Sequence, residues 1–202
     1  MISVIDYGRG NLYSIHSALR FLDVEHEMTD EIQKIANSSH IILPGVGAFG
    51  AGINALEQTG LIEPLCKAVR RGVPLLGICL GMQFLVDGSE EFGNHKGLGL
   101  IRGKVFRLPK NGSDRIPNVG WRKLEPAPNS FLSNMSPNTM AYFVHSFAPR
   151  LSGPQDIAAT IPFNGENIPA IIRRENVVGY QFHPEKSGSA GLNLIQNFLE
   201  MT

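Results

Sequence analysis

The sequence is short of several things, and each shortage closes off a class of function. Cysteine is scarce: two thiols, Cys66 and Cys79, in 202 residues do not make a disulfide framework, and each needs its own explanation. An excess of either charge is missing, because 18 basic residues are balanced by 18 acidic ones. Without a summed positive field or a long like-charged run, nucleic acid is not an expected partner. No apolar run approaches the roughly 18 residues of a membrane span. Met1 leads straight into Ile2–Ile5 and Asp6, without the basic flank and small-residue cleavage site of a signal peptide, so a soluble, cytoplasmic protein with no membrane partner is expected. Internal repeats, low-complexity tracts and sharp breaks in composition are also lacking. The 43% hydrophobic content is ample for one buried core, and a single domain over residues 1–202 is expected.

What is present has two textures. In the first half, short apolar runs alternate with segments of helical period, the pattern of βαβ units around a parallel sheet. Strands are expected at Ile2–Ile5, Val24–Met28, Ile41–Leu43 and Pro74–Ile78, and helices at Asn11–Leu22, Ala51–Leu56 and Leu61–Arg70. Glycine and proline mark the junctions at the carboxyl ends of these strands, where open α/β sheets place their ligands. The second half is richer in proline and glycine, with strands expected at Val105–Leu108, Met140–Phe147, Ile157–Ile161, Ala170–Arg173 and Val177–Phe182. Loops are expected at Pro109–Ile116 and Pro126–Pro137, and a closing helix at about Ala190–Glu200.

Chemistry concentrates at Cys79. It sits in Gly77-Ile78-Cys79-Leu80-Gly81-Met82-Gln83, an apolar strand running into Gly-x-Cys-x-Gly and then a helical segment. That is the small-residue arrangement of a nucleophile elbow, which leaves the thiol exposed above the sheet at a helix start with the Leu80 amide free to face an oxyanion. A lone cysteine is often just a buried core residue, and that plainer reading holds for Cys66, which lies in a helical pattern without flanking glycines. A nucleophilic cysteine needs a base and the base an orienter. Among six histidines, most are expected at surfaces without chemistry. His183 differs: it follows a strand-like run, Pro184 comes next, and Glu185 lies within reach of the far side of its ring. Pro44-Gly45-Val46-Gly47 is either a tight βα turn or the source of further oxyanion amides, since two glycines let a peptide plane reorient.

These segments together resemble a known family. Gly77–Gln83 with Gln181-Phe182-His183-Pro184-Glu185-Lys186-Ser187 is similar to the class I, triad-type glutamine amidotransferases. Pro44–Gly47, Gly120-Trp121 and Tyr142-Phe143-Val144-His145-Ser146 narrow the resemblance to the glutaminase subunits of imidazole glycerol phosphate synthases, over essentially the whole chain. The resemblance implies an α/β fold, a flavodoxin-like open mixed sheet with helices on both faces. It implies that Cys79 attacks the glutamine side-chain amide, His183 shuttles protons and Glu185 orients His183, with no cofactor and no metal. It places Val46, Gly47 and Leu80 at the oxyanion hole, and Gly45, Gln83, Ser146 and Phe147 around glutamine. The implied partner is a (βα)8-barrel cyclase, forming a heterodimer through Asn118, Trp121, Arg122 and Lys186 and receiving ammonia for histidine biosynthesis.

One segment departs from the family pattern. Where Pro-His-x-Gly-Trp-Asn is usual, this chain has Pro117-Asn118-Val119-Gly120-Trp121-Arg122, and a cationic guanidinium does not substitute for a neutral amide. Such a change on a partner-facing surface also suits a paralogue that feeds ammonia to a synthase modifying surface sugars. An inactive regulatory module on the same fold would need the interface but not the chemistry. A stand-alone hydrolase would not need the surface around Trp121.

Overall fold

The computed structural model describes residues 1–128, 130–132 and 135–201. The chain begins with β1 (Ile2–Ile5), α1 (Leu12–Phe21), β2 (His26–Thr29), α2 (Ile32–Ala36), β3 (His40–Gly45), α3 (Phe49–Gln58), α4 (Ile62–Arg70), β4 (Leu75–Cys79) and α5 (Leu80–Phe84). A β-rich stretch follows: β5 (Val86–Ser89), β6 (His95–Lys96), β7 (Ile101–Arg107), β8 (Asn118–Lys123), β9 (Glu125–Pro126), β10 (Met140–His145), β11 (Phe147–Leu151), β12 (Ile157–Phe163), β13 (Glu166–Arg174) and β14 (Val177–Tyr180), before the closing helix α6 (Gly188–Leu199).

An eight-stranded sheet in the order β2-β1-β3-β4-β14-β13-β12-β9 forms the centre. Its first five strands are mutually parallel and the rest antiparallel, which makes it a flavodoxin-like mixed sheet. Strands β1, β4 and β14 are buried at every position, because helices cover both faces, and their unbroken apolar runs are the sequence signature of that situation. One cluster packs Ile15, Leu19, Leu194, Ile195 and Phe198 of α1 and α6 against the sheet. The other packs Ile53, Leu56, Leu65 and Phe84 of α3, α4 and α5 against the opposite face. Cys66 is a buried, free thiol on the inner side of α4.

The second half departs from the sequence-based expectation in its pairing. Met140–Phe147 reads as one strand but breaks at Ser146: β10 pairs with β8 in a separate hairpin, while β11 joins β7, β5 and β6 in a four-stranded sheet. The β5, β6, β8 and β9 strands and the one-and-a-half-turn α2 carry too little periodicity to announce themselves. The expected loop Pro126–Pro137 starts inside β9, and its residues 129, 133 and 134 lie outside the described residues. The consequential placement is that of β14, which comes from the far end of the chain yet slots beside β4, with Val177 level with Leu75 and Tyr180 with Ile78.

Candidate active site

The β4–α5 junction turns within one residue. Cys79 ends the strand with φ 55° and ψ −109°, and Leu80 begins the helix. A positive φ at a non-glycine residue costs on the order of 1 kcal/mol or more and persists only where its surroundings enforce it. Close packing is the enforcing element: a Cβ on Gly81 would lie 1.9 Å from the Leu43 carbonyl oxygen, so only glycine lets α5 start this close to β3. Leu80 and Gly81 open the helix, and backbone amides at that position lack a partner in the preceding turn. The thiol is not exposed above the sheet, as the elbow alone would predict. Cys79 is 7% exposed and lies on a cavity of about 280 Å³.

His183 reaches the same cavity because β14 lies beside β4 and the chain runs on from Tyr180 through Gln181 and Phe182. The imidazole is buried, and its Nδ1 lies 2.8 Å from Glu185 Oε1, a carboxylate whose side chain is 1% exposed. Ser187 Oγ donates to the His183 carbonyl at 2.7 Å and accepts from Tyr142 N at 2.9 Å, which ties this segment to β10. Burial works against a charged imidazole here, but hydrogen bonding to Cys79 and Glu185, with their charges, outweighs it and pushes His183 up to about 10. An imidazolium beside a sulfur is the setting in which cysteine reacts as a thiolate.

Val46, Gly47, Leu80, Gln83, Ser146 and Phe147, all expected near the substrate, line this cavity with Cys79 and His183. The register sets Gly45 opposite Cys79, and Gly47 has φ +97°. Gly45 itself does not line the cavity; it borders a small void on the other side of the turn, with Val46 and Glu185.

Residues 3–201 match the family model "Glutamine amidotransferase class-I". This chain is a class-I glutamine amidotransferase. It is 42% identical to imidazole glycerol phosphate synthase subunit HisH 1 of Legionella pneumophila (strain Lens), over 99% of each chain. It is 43% identical to the subunit HisH of Geobacillus sp. (strain WCH70), over 98% of this chain and 95% of that one. A crystal structure of a glutamine amidotransferase superposes with a TM-score of 0.76 at 20% identity, covering 99% of this chain and 97% of the other, a likeness of fold.

Three residues in or behind this amidotransferase's cavity were given no role by the motifs: Glu91 and His145 line it, and Gln181 lies behind Cys79. Glu91 lines the cavity and is 8% exposed; its Oε2 accepts from Phe49 N at 2.7 Å, capping α3 and leaving its other oxygen for a ligand. Gln181, fully buried, points Nε2 at Cys79 Sγ (4.0 Å) and accepts from Gln83 Nε2 at 3.1 Å. His145, expected among histidines without a role, is buried at the cavity wall. Gln181 and His145 stood inside quoted motifs; Glu91 carried no local signal, because the amide it caps is 42 positions away.

The residues expected to face a partner separate into two sets. Trp121 is 52% exposed, and Lys186 is exposed too. Asn118 does not reach the surface: it is fully buried, because its amide bridges two neighbours. Arg122 Nε donates to Asn118 Oδ1, Asn118 Nδ2 donates to His145 Nε2, and His145 Nδ1 donates to the Phe147 carbonyl, each at 2.9 Å. Gln83 Nε2 donates to that same carbonyl at 2.9 Å, and Asp114 pairs with Arg122 at 2.9 Å. Burial drives His145 down to about 4 against the pull of the Phe147 carbonyl, with the charges of Arg122 and His183 adding to the fall. The departure from the family pattern is therefore an internal hydrogen-bond chain as much as a changed surface.

Proposed function

We propose that this amidotransferase is the glutaminase subunit of an imidazole glycerol phosphate synthase, acting as one domain in the cytoplasm. The observation that carries the chemistry is the convergence of a strained Cys79, a Glu185-held His183 and a glycine turn on one small cavity. The Cys79 sulfur attacks the carboxamide carbon of glutamine, and the oxyanion takes the amides of Leu80 and of the Val46–Gly47 turn. The carbon–nitrogen bond breaks, His183 passes its proton to the departing nitrogen, and a γ-glutamyl thioester remains. Water, deprotonated by His183, then cleaves the thioester to glutamate and restores the thiolate. Glu91 offers a buried carboxylate for the substrate's α-ammonium group, and the Gln83 side-chain oxygen offers a polar contact beside it.

The partner in this reading is a (βα)8-barrel cyclase that receives ammonia before water protonates it. Support comes from the names of the relatives and from an apolar rim at the cavity. Val46 and Val144 line the opening and are exposed, Val119 pairs with Val144, and Trp121 pairs with Tyr142. A second reading, a paralogue serving a synthase of surface sugars, is favoured by one observation, the Asn118–Arg122 pair in place of the usual histidine and asparagine. The test is release of ammonia and glutamate from glutamine by the purified chain, alone and with the cyclase subunit and its ribonucleotide from the same source. Strong stimulation is expected; turnover indifferent to that cyclase transfers the chain to the second reading.

A further inference from the structure

Among the described residues, two buried side-chain polar atoms lack a hydrogen-bond partner, Tyr7 Oη and Glu185 Oε2. Both flank the same short turn. A Cβ placed on Gly45 would lie 2.7 Å from the Tyr7 hydroxyl and 2.9 Å from Gly81 N, so the phenol is pressed against the root of the Gly45–Gly47 turn. Glu185, Gly45 and Val46 share the void on its other side. Tyr7 follows β1, is 4% exposed and packs edge-on against Phe84. It does not line the cavity that holds Cys79.

An unpaired buried hydroxyl is destabilising, and phenylalanine would fill the same space without that cost. The hydroxyl is kept neutral, and so remains a donor: burial pushes its pKa up, against the pull of Arg9, and the nearby Cys79 charge adds to the rise. The N–H and C=O of a trans peptide point in opposite directions. When the Gly45–Val46 peptide aims the Val46 N–H into the cavity, the Gly45 carbonyl must point away from it, on the turn that the phenol abuts. We propose that Tyr7 is a positioning residue for the oxyanion site, its hydroxyl donating to the Gly45 carbonyl when the Val46 amide faces the substrate. This rests on the glutaminase reading above.

The test is Tyr7→Phe in the full chain, followed by thermal unfolding and by steady-state glutamine hydrolysis, alone and with the cyclase and its ribonucleotide. The expected result is a Tm equal to or above that of the parent, a glutamine KM within about twofold, and a kcat lowered about tenfold, as for loss of one hydrogen bond in the reactive arrangement. An unchanged kcat overturns the proposal and makes Tyr7 an inert ring. A Tm and kcat that fall together also overturn it, making the residue merely structural. A parent chain that releases no ammonia in either setting overturns the glutaminase reading and this proposal together, an outcome distinct from an active parent with an indifferent variant.

Discussion

The two walls of the catalytic cavity are built on opposite plans. The wall formed by β8, β10 and Phe147 is hydrogen-bonded end to end: Asp114, Arg122, Asn118, His145 and the Phe147 carbonyl form an unbroken run, and Gln83 joins it from α5. The facing wall, from Val46 and Gly47 to Cys79, carries positive φ at Cys79 and Gly47, and the turn behind it borders the two unpartnered buried atoms found among the described residues. A fully satisfied polar run is rigid and specifies one geometry, which suits recognition of a substrate. Strain and unused hydrogen-bonding capacity suit a wall whose full set of contacts forms only during the reaction. On the proposed chemistry, one cavity thus keeps recognition apart from reaction.

That contrast can be broken by experiment. The largest effect is expected from Cys79→Ala, which should lower glutamine hydrolysis by on the order of 10⁴-fold or more, as for loss of a nucleophile, while binding of the synthase partner is unchanged. Ammonia release near the parent rate would remove the chemistry from the strained wall. Glu91→Gln keeps a carbonyl oxygen to cap Phe49 N but discards the charge. The expected rise in glutamine KM is about 10- to 100-fold, the worth of a charged hydrogen bond, with kcat little changed; a kcat defect at constant KM would assign Glu91 to the reaction. Asn118→Ala leaves His145 Nε2 and Arg122 Nε without their partner, and urea unfolding should show a loss of about 1–3 kcal/mol. Unchanged stability would mean that the satisfied wall is not held by this chain.

The smallest signal, and the sharpest comparison, is the titration of the two wall histidines by NMR. His145 lies low, at about 4, and His183 high, at about 10, on either side of an ordinary histidine near 6.5. The two contribute to stability with opposite sign. Neutral His145 contributes fully above about pH 6.5, and that contribution fades as pH falls toward 4. The paired His183 contributes fully below about pH 6.5, and its share is lost as pH rises through about 10. At pH 7 the spectra should show a neutral His145 and a charged His183; both rings titrating near 6.5 would erase the distinction between the walls.

The strained wall was the legible one. Gly77–Gln83, Pro44–Gly47 and His183-Pro184-Glu185 are local patterns whose residue types follow from what a tight turn and an oriented base require. The parallel core was equally open to reading, since β1, β3 and β4 are apolar runs bounded by glycine and proline. The pairing within the satisfied wall was closed to it, although several of its residues stood in the quoted motifs, because that pairing runs across distance. Asn118 meets His145 only through the β8–β10 hairpin, Glu91 caps a helix that begins 42 positions earlier, and the break at Ser146 has no punctuating glycine or proline. A substitution at Asn118 therefore looked like a surface change when it lies beneath the surface.

The position of β14 carries a further consequence, for the order in which the protein is made. Cys79 and His183 are separated by more than half the chain, and they meet because β14 inserts between β4 and β13, in the interior of the sheet rather than at its edge. During synthesis the thiol emerges long before the imidazole proposed as its base. On the proposed chemistry, a polypeptide without β14 in place between β4 and β13 holds a cysteine lacking its imidazole, so the capacity to release ammonia depends on a strand from the far end of the chain.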